Sequence, residues 1–160
     1  MTSHEAVQDH YPDDFSHCFG CGRLNAQGHQ LKTYVDGDET VARFTPGPQH
    51  TALPGFVYGG LIASLIDCHA MATAAAAAER AAGRAVGEAP SPRFVTASLH
   101  VDYLRPTPLG PELEIRARIK ERSDRKTIVD VTLSADGLVT ARGEVVAVRR
   151  PDTMVQSPQV

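Results

Sequence analysis

Apolar and polar residues alternate along several segments of the chain, a pattern typical of half-buried β-strands. Leu31 to Val35 and Glu39 to Phe44 flank the turn residues Asp36-Gly37 and predict a hairpin. After residue 92 the alternation resumes, and Asp136-Gly137 marks a second hairpin turn. The later strands are predicted at Phe94 to Leu104, Glu112 to Glu121, Thr127 to Ser134 and Leu138 to Val148.

One long apolar segment separates the first hairpin from the later strands. It begins at Gly59 and extends to about Ala82, where glycines and prolines at positions 83 to 92 end it. The segment approaches membrane-spanning length, but Asp67 near its centre and a run of alanines favour a buried helix over a membrane insertion. A single apolar helix among many strands must lie across a sheet that wraps it. The sequence therefore predicts an α+β fold.

Length and charge narrow the class of protein. The 160 residues suit one domain, which we expect at residues 15–150, with a disordered or loosely docked lead-in at 1–14 and a frayed tail at 151–160. The net charge of −3 and the lack of long like-charge runs argue against a nucleic-acid partner. The polar N-terminus and an odd number of cysteines predict a cytoplasmic location with reduced thiols.

The start of the predicted helix combines two chemical features. Gly59 and Gly60 open it, and the unpaired N–H groups of a helix N-terminus can hold a developing negative charge. Asp67 lies two turns further on, and a lone carboxylate on an apolar helix costs several kcal/mol to bury unless it is used or paired. One element thus carries an oxyanion site and a candidate base or nucleophile, which suggests acyl chemistry.

Three motifs together resemble one known family. They are Cys18-Phe-Gly-Cys-Gly with Asn25 and Gly28, the segment from Pro54 to Asp67, and the segment from Thr96 to Leu109. This combination resembles the hotdog-fold acyl-CoA thioesterases of the PaaI-like and Them-like branch, in which a curved antiparallel sheet wraps one central helix. The resemblance implies a hotdog fold, an acyl-CoA substrate, and no cofactor or metal.

The resemblance also implies roles for particular residues. Asp67 matches the family's helix carboxylate, Gly60 or Gly59 its oxyanion donor, and Thr96 the strand threonine that assists the carboxylate. Tyr58 stands where the family commonly has His, which removes an imidazole but keeps the backbone donor.

The spacing of Gly60 and Asp67 has a consequence for assembly. Seven residues of helix separate them by roughly 10 Å along the axis, so both cannot touch one thioester carbonyl. Two such helices packed antiparallel across a two-fold axis would bring Gly60 of one copy to Asp67 of the other. We therefore expect a homo-oligomer, either a dimer or a dimer of dimers.

Other residues are candidates for contacts with the substrate. Arg105 and the Arg125-Lys126 pair suit the phosphates of CoA. Tyr58 is expected to be a wall of the pocket or to direct its hydroxyl at the substrate, and Ser64 can orient a water molecule. Asp102, which stands where the family often has Asn, is the last candidate for a contact with the substrate.

The cysteines raise the possibility of a metal site. Cys18 and Cys21 form a Cys-x-x-Cys pair, and His17 and His29 in principle complete four zinc ligands. No second Cys-x-x-Cys exists, so we interpret the pair as buried thiols in a glycine-rich turn. Cys68 and the adjacent His69 diverge by about 100° on a helix and do not form a catalytic pair.

The predicted function is hydrolysis of an acyl-CoA thioester to the free acid and CoA. One alternative is a hotdog dehydratase or hydratase, which His50 followed by Pro54-Gly55 faintly suggests, although the histidine expected five residues after Asp67 is replaced by Ala72. Another is a hotdog protein that binds acyl-CoA without turnover. The nucleophile and general-base roles of Asp67 both remain open.

Overall fold

The computed structural model describes residues 2–154, and it consists of one helix lying across a single antiparallel sheet. The order of strands across the sheet is β1-β2-β4-β5-β6-β3. The helix contacts all six strands, which is the predicted α+β hotdog arrangement. The elements are β1 Thr33–Asp36, β2 Glu39–Phe44, α1 Gly59–Ala81, β3 Phe94–Tyr103, β4 Leu113–Arg122, β5 Lys126–Ala135 and β6 Leu138–Arg149.

Helix α1 is buried on almost every side. Its first two turns place large aliphatic side chains in the core, and the alanines that follow let the backbone lie close to the sheet. The helix is long and apolar enough to cross a membrane, yet 78 % of its most apolar stretch is buried inside this fold. Burial on all sides explains why the sequence shows no single apolar stripe.

The hairpins follow the turn chemistry of the sequence. Asp136 and Gly137 connect β5 to β6 with φ values of 50° and 76°, as a type I′ turn requires. In the first hairpin Asp36 pairs with Glu39, so the connecting residues are Gly37 and Asp38 rather than Asp36 and Gly37. Gly37 has a φ of 64° and supplies the left-handed conformation there.

The N-terminal segment is more firmly docked than its polarity predicts. Val7–His10 form a short 3₁₀ helix in which Val7 is fully buried. The side chain of Gln8 accepts a hydrogen bond from the Thr33 N–H at 2.8 Å and donates one to the Thr33 hydroxyl at 3.1 Å. The lead-in is thereby joined to strand β1. Of the expected tail, residues 151–154 are exposed and 155–160 lie outside the described residues.

A buried polar network joins this region to the helix. His69 is fully buried, with Nδ1 2.9 Å from the Thr33 hydroxyl and Nε2 3.1 Å from the Thr40 hydroxyl. Burial lowers the pKa of His69 to about 3, so the ring stays neutral at ordinary pH. His69 is therefore a structural residue.

The closest approach of helix and sheet yields a stability prediction. A Cβ added to Gly143 of β6 would lie 2.5 Å from Cγ2 of the fully buried Ile66. We expect Gly143→Ala to lower the free energy of unfolding by about 1–3 kcal/mol through overpacking, measured by urea denaturation. Arg142→Ala, on the exposed neighbouring residue, is the control and should change stability by less than about 0.5 kcal/mol. Equal stability of Gly143→Ala and wild type would contradict the close contact.

Candidate active site

The candidate site centres on Asp67, which lies half-buried in the third turn of α1. The hydroxyl of Thr96 on strand β3 donates a hydrogen bond to its Oδ1 at 2.5 Å. No other hydrogen bond to this carboxylate comes from the described residues, so Oδ2 remains available. The structure thus brings together the two residues that the sequence resemblance paired.

An irregularity in strand β3 makes this pairing possible. Thr96 contacts Asp67 of the helix, and the hydroxyl of Tyr103 donates a hydrogen bond to the Gly59 carbonyl at 2.7 Å. Residues seven apart lie on opposite faces of a regular strand, yet Thr96 and Tyr103 both face the helix. The register against β6 shifts between Thr96 and Ser98, which leaves Ala97 as a bulge. β-Bulges are enriched beside active sites because they redirect side chains.

The surroundings of Asp67 favour its neutral form. Burial raises the pKa of Asp67 above its ordinary value, and negative charge on Cys18 acts in the same direction. The hydrogen bond from Thr96, and more weakly the charge of Arg93, act in the opposite direction. Such a perturbed carboxyl group is a common mark of a functional site.

The N-terminus of α1 forms the second part of the site. Tyr58 precedes the helix without a side-chain cap, and the N–H groups of Gly59 and Gly60 form no hydrogen bond with any described residue. A Cβ at Gly60 would lie 2.1 Å from the Tyr58 hydroxyl oxygen, so this hydroxyl lies directly over Gly60. The Tyr58 side chain is about half exposed. Two free backbone donors and one hydroxyl therefore meet at the helix end.

The other predicted contact residues are distributed more widely. Ser64 is directed at Gly20, on the side of the helix that carries Cys68. Asp102 lies on the outer face of the sheet, where its Oδ1 is 3.1 Å from Nε2 of His100, and so points away from Asp67.

The predicted phosphate-binding residues lie far apart. Arg105 follows the end of β3, whereas Arg125 and Lys126 lie near its beginning, because Lys126 and Val95 both pair with Val148. All three side chains are exposed. A ten-residue strand is about 33 Å long, so within one chain the two groups cannot bind the same phosphate.

A large groove lies elsewhere on the helix. Its volume is about 940 Å³, and residues such as Thr73, Ala76 and Arg80 line it together with the β1–β2 hairpin. Thr73 is six residues after Asp67, which places it about 120° around the helix axis. The groove therefore opens on a different face from the Asp67 carboxylate.

The structure also groups residues that the sequence analysis did not connect. The sulfur atoms of Cys18, Cys21 and Cys68 all lie within 4.8 Å of one another. Neither histidine of the hypothesised zinc set joins them, because His17 is exposed and the His29 ring packs against Phe19, Phe44 and His50. The Cys-x-x-Cys spacing signals the first two sulfurs, but nothing local signals the third, which lies 47 residues beyond Cys21.

Comparisons with known proteins identify the family and the fold. Residues 54–142, more than half of the chain, match the thioesterase superfamily model. A crystal structure of a thioesterase superfamily protein from Shewanella loihica PV-4 is 51 % identical and superposes with a TM-score of 0.67, covering 87 % of this chain and 98 % of that one. The Escherichia coli PaaI protein is only 16 % identical, with a TM-score of 0.62 over 77 % of this chain and 81 % of its own, and shows the shared fold.

A curated relative is similar over a shorter region. The acyl-coenzyme A thioesterase THEM4 of Xenopus laevis is 36 % identical over 86 residues, which cover 54 % of this chain and 33 % of the relative. The chain thus spans about a third of the length of that protein. The chain belongs to the thioesterase superfamily, which confirms the family resemblance seen in the sequence.

The hydrogen bond from Thr96 to Asp67 yields a prediction about ionisation. Because this bond favours the carboxylate, Thr96→Val should raise the pKa of Asp67 further, whereas Thr96→Ser, which keeps the hydroxyl, should leave it near the wild-type value. An NMR titration of the Asp67 carboxyl carbon measures both. The same pKa in Thr96→Val and wild type would show that the bond does not form in solution.

Proposed function

We propose that this protein is an acyl-CoA thioesterase that hydrolyses its substrate to a free acid and CoA. The observation that carries the proposal is the Asp67 carboxylate, held by Thr96 with one oxygen free, on a helix whose first N–H groups are unpaired. The naming of the THEM4 relatives from Xenopus laevis and Bos taurus as acyl-coenzyme A thioesterases supports the substrate class. A related fold from Streptococcus mutans, 18 % identical, was solved bound to acetyl-CoA.

The chemistry needs Asp67 in its ionised form. As a general base, the carboxylate takes a proton from water, and the resulting hydroxide adds to the thioester carbonyl carbon. The N–H of Gly60 stabilises the oxyanion, the carbon–sulfur bond breaks, and the CoA thiolate leaves with the proton from Asp67. As a nucleophile, Asp67 instead attacks the carbonyl carbon and expels the CoA thiolate as the carbon–sulfur bond breaks, which gives a mixed anhydride. Water then hydrolyses the anhydride to the free acid and the Asp67 carboxylate, and the thiolate takes up the proton that is released. The free Oδ2 suits either route.

The proposed site is shared between two copies of the chain. Gly60 and Asp67 are about 10 Å apart along one helix, too far to act on one carbonyl. Strand β3 ends the sheet, and its outer edge is not paired with any described strand. Leu99, Tyr103 and Leu104 near this edge are 40–53 % exposed. An unpaired edge with exposed apolar side chains favours association, which supports a homodimer or a dimer of dimers.

The positions of the basic residues are also consistent with a shared site. Arg105 and the Arg125-Lys126 pair lie at opposite ends of β3, so a two-fold axis can bring one group from each copy toward the same CoA. Arg forks and Lys point charges both suit its phosphates.

The dehydratase alternative receives no support from the described residues. His50 accepts a hydrogen bond from the Gly47 N–H at 2.9 Å, and its ring packs against His29 and Phe44. Ala72, where a hydratase histidine is expected, is fully buried.

Replacement of Asp67 tests the mechanism and the non-catalytic alternative together. With a panel of aliphatic and aromatic acyl-CoAs and a thiol-detecting reagent, Asp67→Asn should reduce kcat by about 10²–10⁴-fold. The wild-type rate should fall as the pH drops through the raised pKa of Asp67, because only the carboxylate reacts. Asp136→Asn, in an exposed turn whose φ of 50° Asn also tolerates, is the matched control. Absence of turnover in wild type, or full turnover in Asp67→Asn, would refute the proposal.

Mixing two inactive variants tests whether the site is shared. Gly60→Pro removes the N–H, and Pro is tolerated in the first turn of a helix; Gly60→Ala adds the same Cβ but keeps the N–H. We expect Gly60→Ala to retain more activity than Gly60→Pro. Refolding Gly60→Pro together with Asp67→Asn should recover about a quarter of the wild-type activity, because half of the dimers are mixed and each has one intact site.

The control for the mixing experiment is Asp67→Asn refolded with Asp67→Ala, which should recover nothing. If the first mixture is no more active than its parents, each site is built within one chain.

A further inference from the structure

The cluster of Cys18, Cys21 and Cys68 has the dimensions of a metal site. All three sulfurs are mutually within 4.8 Å, and those of Cys18 and Cys68 are 3.8 Å apart. Two thiolates bound to one tetrahedral Zn²⁺, each at about 2.3 Å, are separated by about 3.8 Å. Cys21 and Cys68 are buried and Cys18 is partly exposed, so the cluster has one side open to solvent.

The loop that carries Cys18 and Cys21 is fitted closely around the sulfurs. A Cβ at Gly20 would lie 2.2 Å from the Cys68 sulfur, and a Cβ at Gly22 would lie 2.5 Å from the Cys18 backbone nitrogen. The N–H of Gly22 donates to the Cys18 carbonyl at 2.7 Å and closes the turn. The loop therefore leaves no room for a larger side chain between it and Cys68 of the helix.

Two neighbouring side chains suit anionic sulfur. The Tyr11 hydroxyl is buried and donates a hydrogen bond to none of the described residues, although Cys21 and Cys68 are close enough to affect it electrostatically. A buried O–H donor without an acceptor is rare, which indicates that a hydrogen-bond acceptor belongs beside it. The Arg93 guanidinium lies 5.0 Å from the centre of the Tyr11 ring, and its charge acts on all three sulfurs.

The charges favour a divalent ion. Three thiolates and one Zn²⁺ carry a net charge of −1, which the positive charge of Arg93 balances. Thiolate ligands are soft and favour zinc over the hard cations that prefer oxygen.

We infer that Cys18, Cys21 and Cys68 bind one Zn²⁺ ion through three thiolates, with an exogenous fourth ligand on the open side next to Cys18. The sequence predicted no metal and allowed a zinc set of Cys18, Cys21, His17 and His29 only in principle; the inferred set differs because Cys68 of the helix takes part and the two histidines do not. Asp67, the residue before Cys68, is outside the ligand set and remains free for its own role. The ion joins the Cys18–Cys21 loop to the middle of α1.

Metal binding by the full chain tests this inference. Protein stripped with a chelator and fully reduced should titrate as three thiols. It should then bind one equivalent of Co²⁺ with a sulfur-to-metal charge-transfer band that Zn²⁺ abolishes. Zinc should also raise Tm. It should slow the alkylation of all three cysteines by iodoacetamide, which mass spectrometry measures. All of these measurements are made on the wild-type protein. Failure of the reduced protein to bind one equivalent of either metal would overturn the inference.

Substitutions identify the ligands. Each of Cys18→Ser, Cys21→Ser and Cys68→Ser should weaken Zn²⁺ binding by more than about 100-fold, and Tyr11→Phe by about 10-fold, since groups that support metal ligands contribute 10–100-fold. His17→Ala and His29→Ala are the controls and should bind zinc as wild type does. Undiminished binding in Cys68→Ser, or loss of binding in His17→Ala, would refute the three-cysteine site. Purified protein in which two of the thiols are joined as a disulfide that persists beside excess zinc would also refute it.

Discussion

A helix that is buried on almost every side has little solvent-facing surface for its polar residues, and a buried polar group is costly unless it finds a partner. His69 is matched by threonines of β1 and β2, and the hydroxyl of Thr73 donates to the His69 carbonyl. Glu79, almost fully buried, is paired with Arg84 at 2.7 Å. The two contacts of His69 with β1 and β2 fix the rotation of α1 against the sheet. That rotation in turn places Asp67 against β3.

Asp67 differs from His69, two residues further along the helix, in how completely it is matched. His69 uses both ring nitrogens within the fold, whereas the Asp67 carboxylate receives one hydrogen bond and is only half-buried. The packing therefore orients this carboxylate without using all of its bonding capacity. An oriented but partly unsatisfied group is what a reaction with an incoming molecule requires.

Most of the fold could be predicted from the sequence because its signals are local. Alternation and turn residues predicted α1 and the last four strands to within one residue at each end, since hairpin turns and proline-glycine breaks limit where each element can end. The docking of Val7 and Gln8 was missed because it depends on contacts with β1, far along the chain. The pairing of Asp67 with Thr96 came from a family resemblance, since no local pattern connects residues 29 positions apart.

The cysteine cluster and the bulge at Ala97 show the same limit. The Cys-x-x-Cys spacing is visible in the sequence, but the arrival of Cys68 depends on how the N-terminal loop lies on the helix. The alternating pattern of β3 likewise predicts an extended segment. It does not show that Thr96, at an even position, and Tyr103, at an odd position, both face the helix.

This bulge constrains how the chain can change in length. Thr96 and Tyr103 hold the middle and the beginning of the same helix at a spacing of seven residues because the bulge at Ala97 adds one residue to the strand. Deletion of the bulged residue leaves a spacing of six, which a regular strand also places on one face, whereas a single deletion that left the bulge in place would turn one of the two contacts away. Among natural or engineered variants of this fold, an odd length difference between these two positions should therefore coincide with loss of the bulge, and an even difference with its retention.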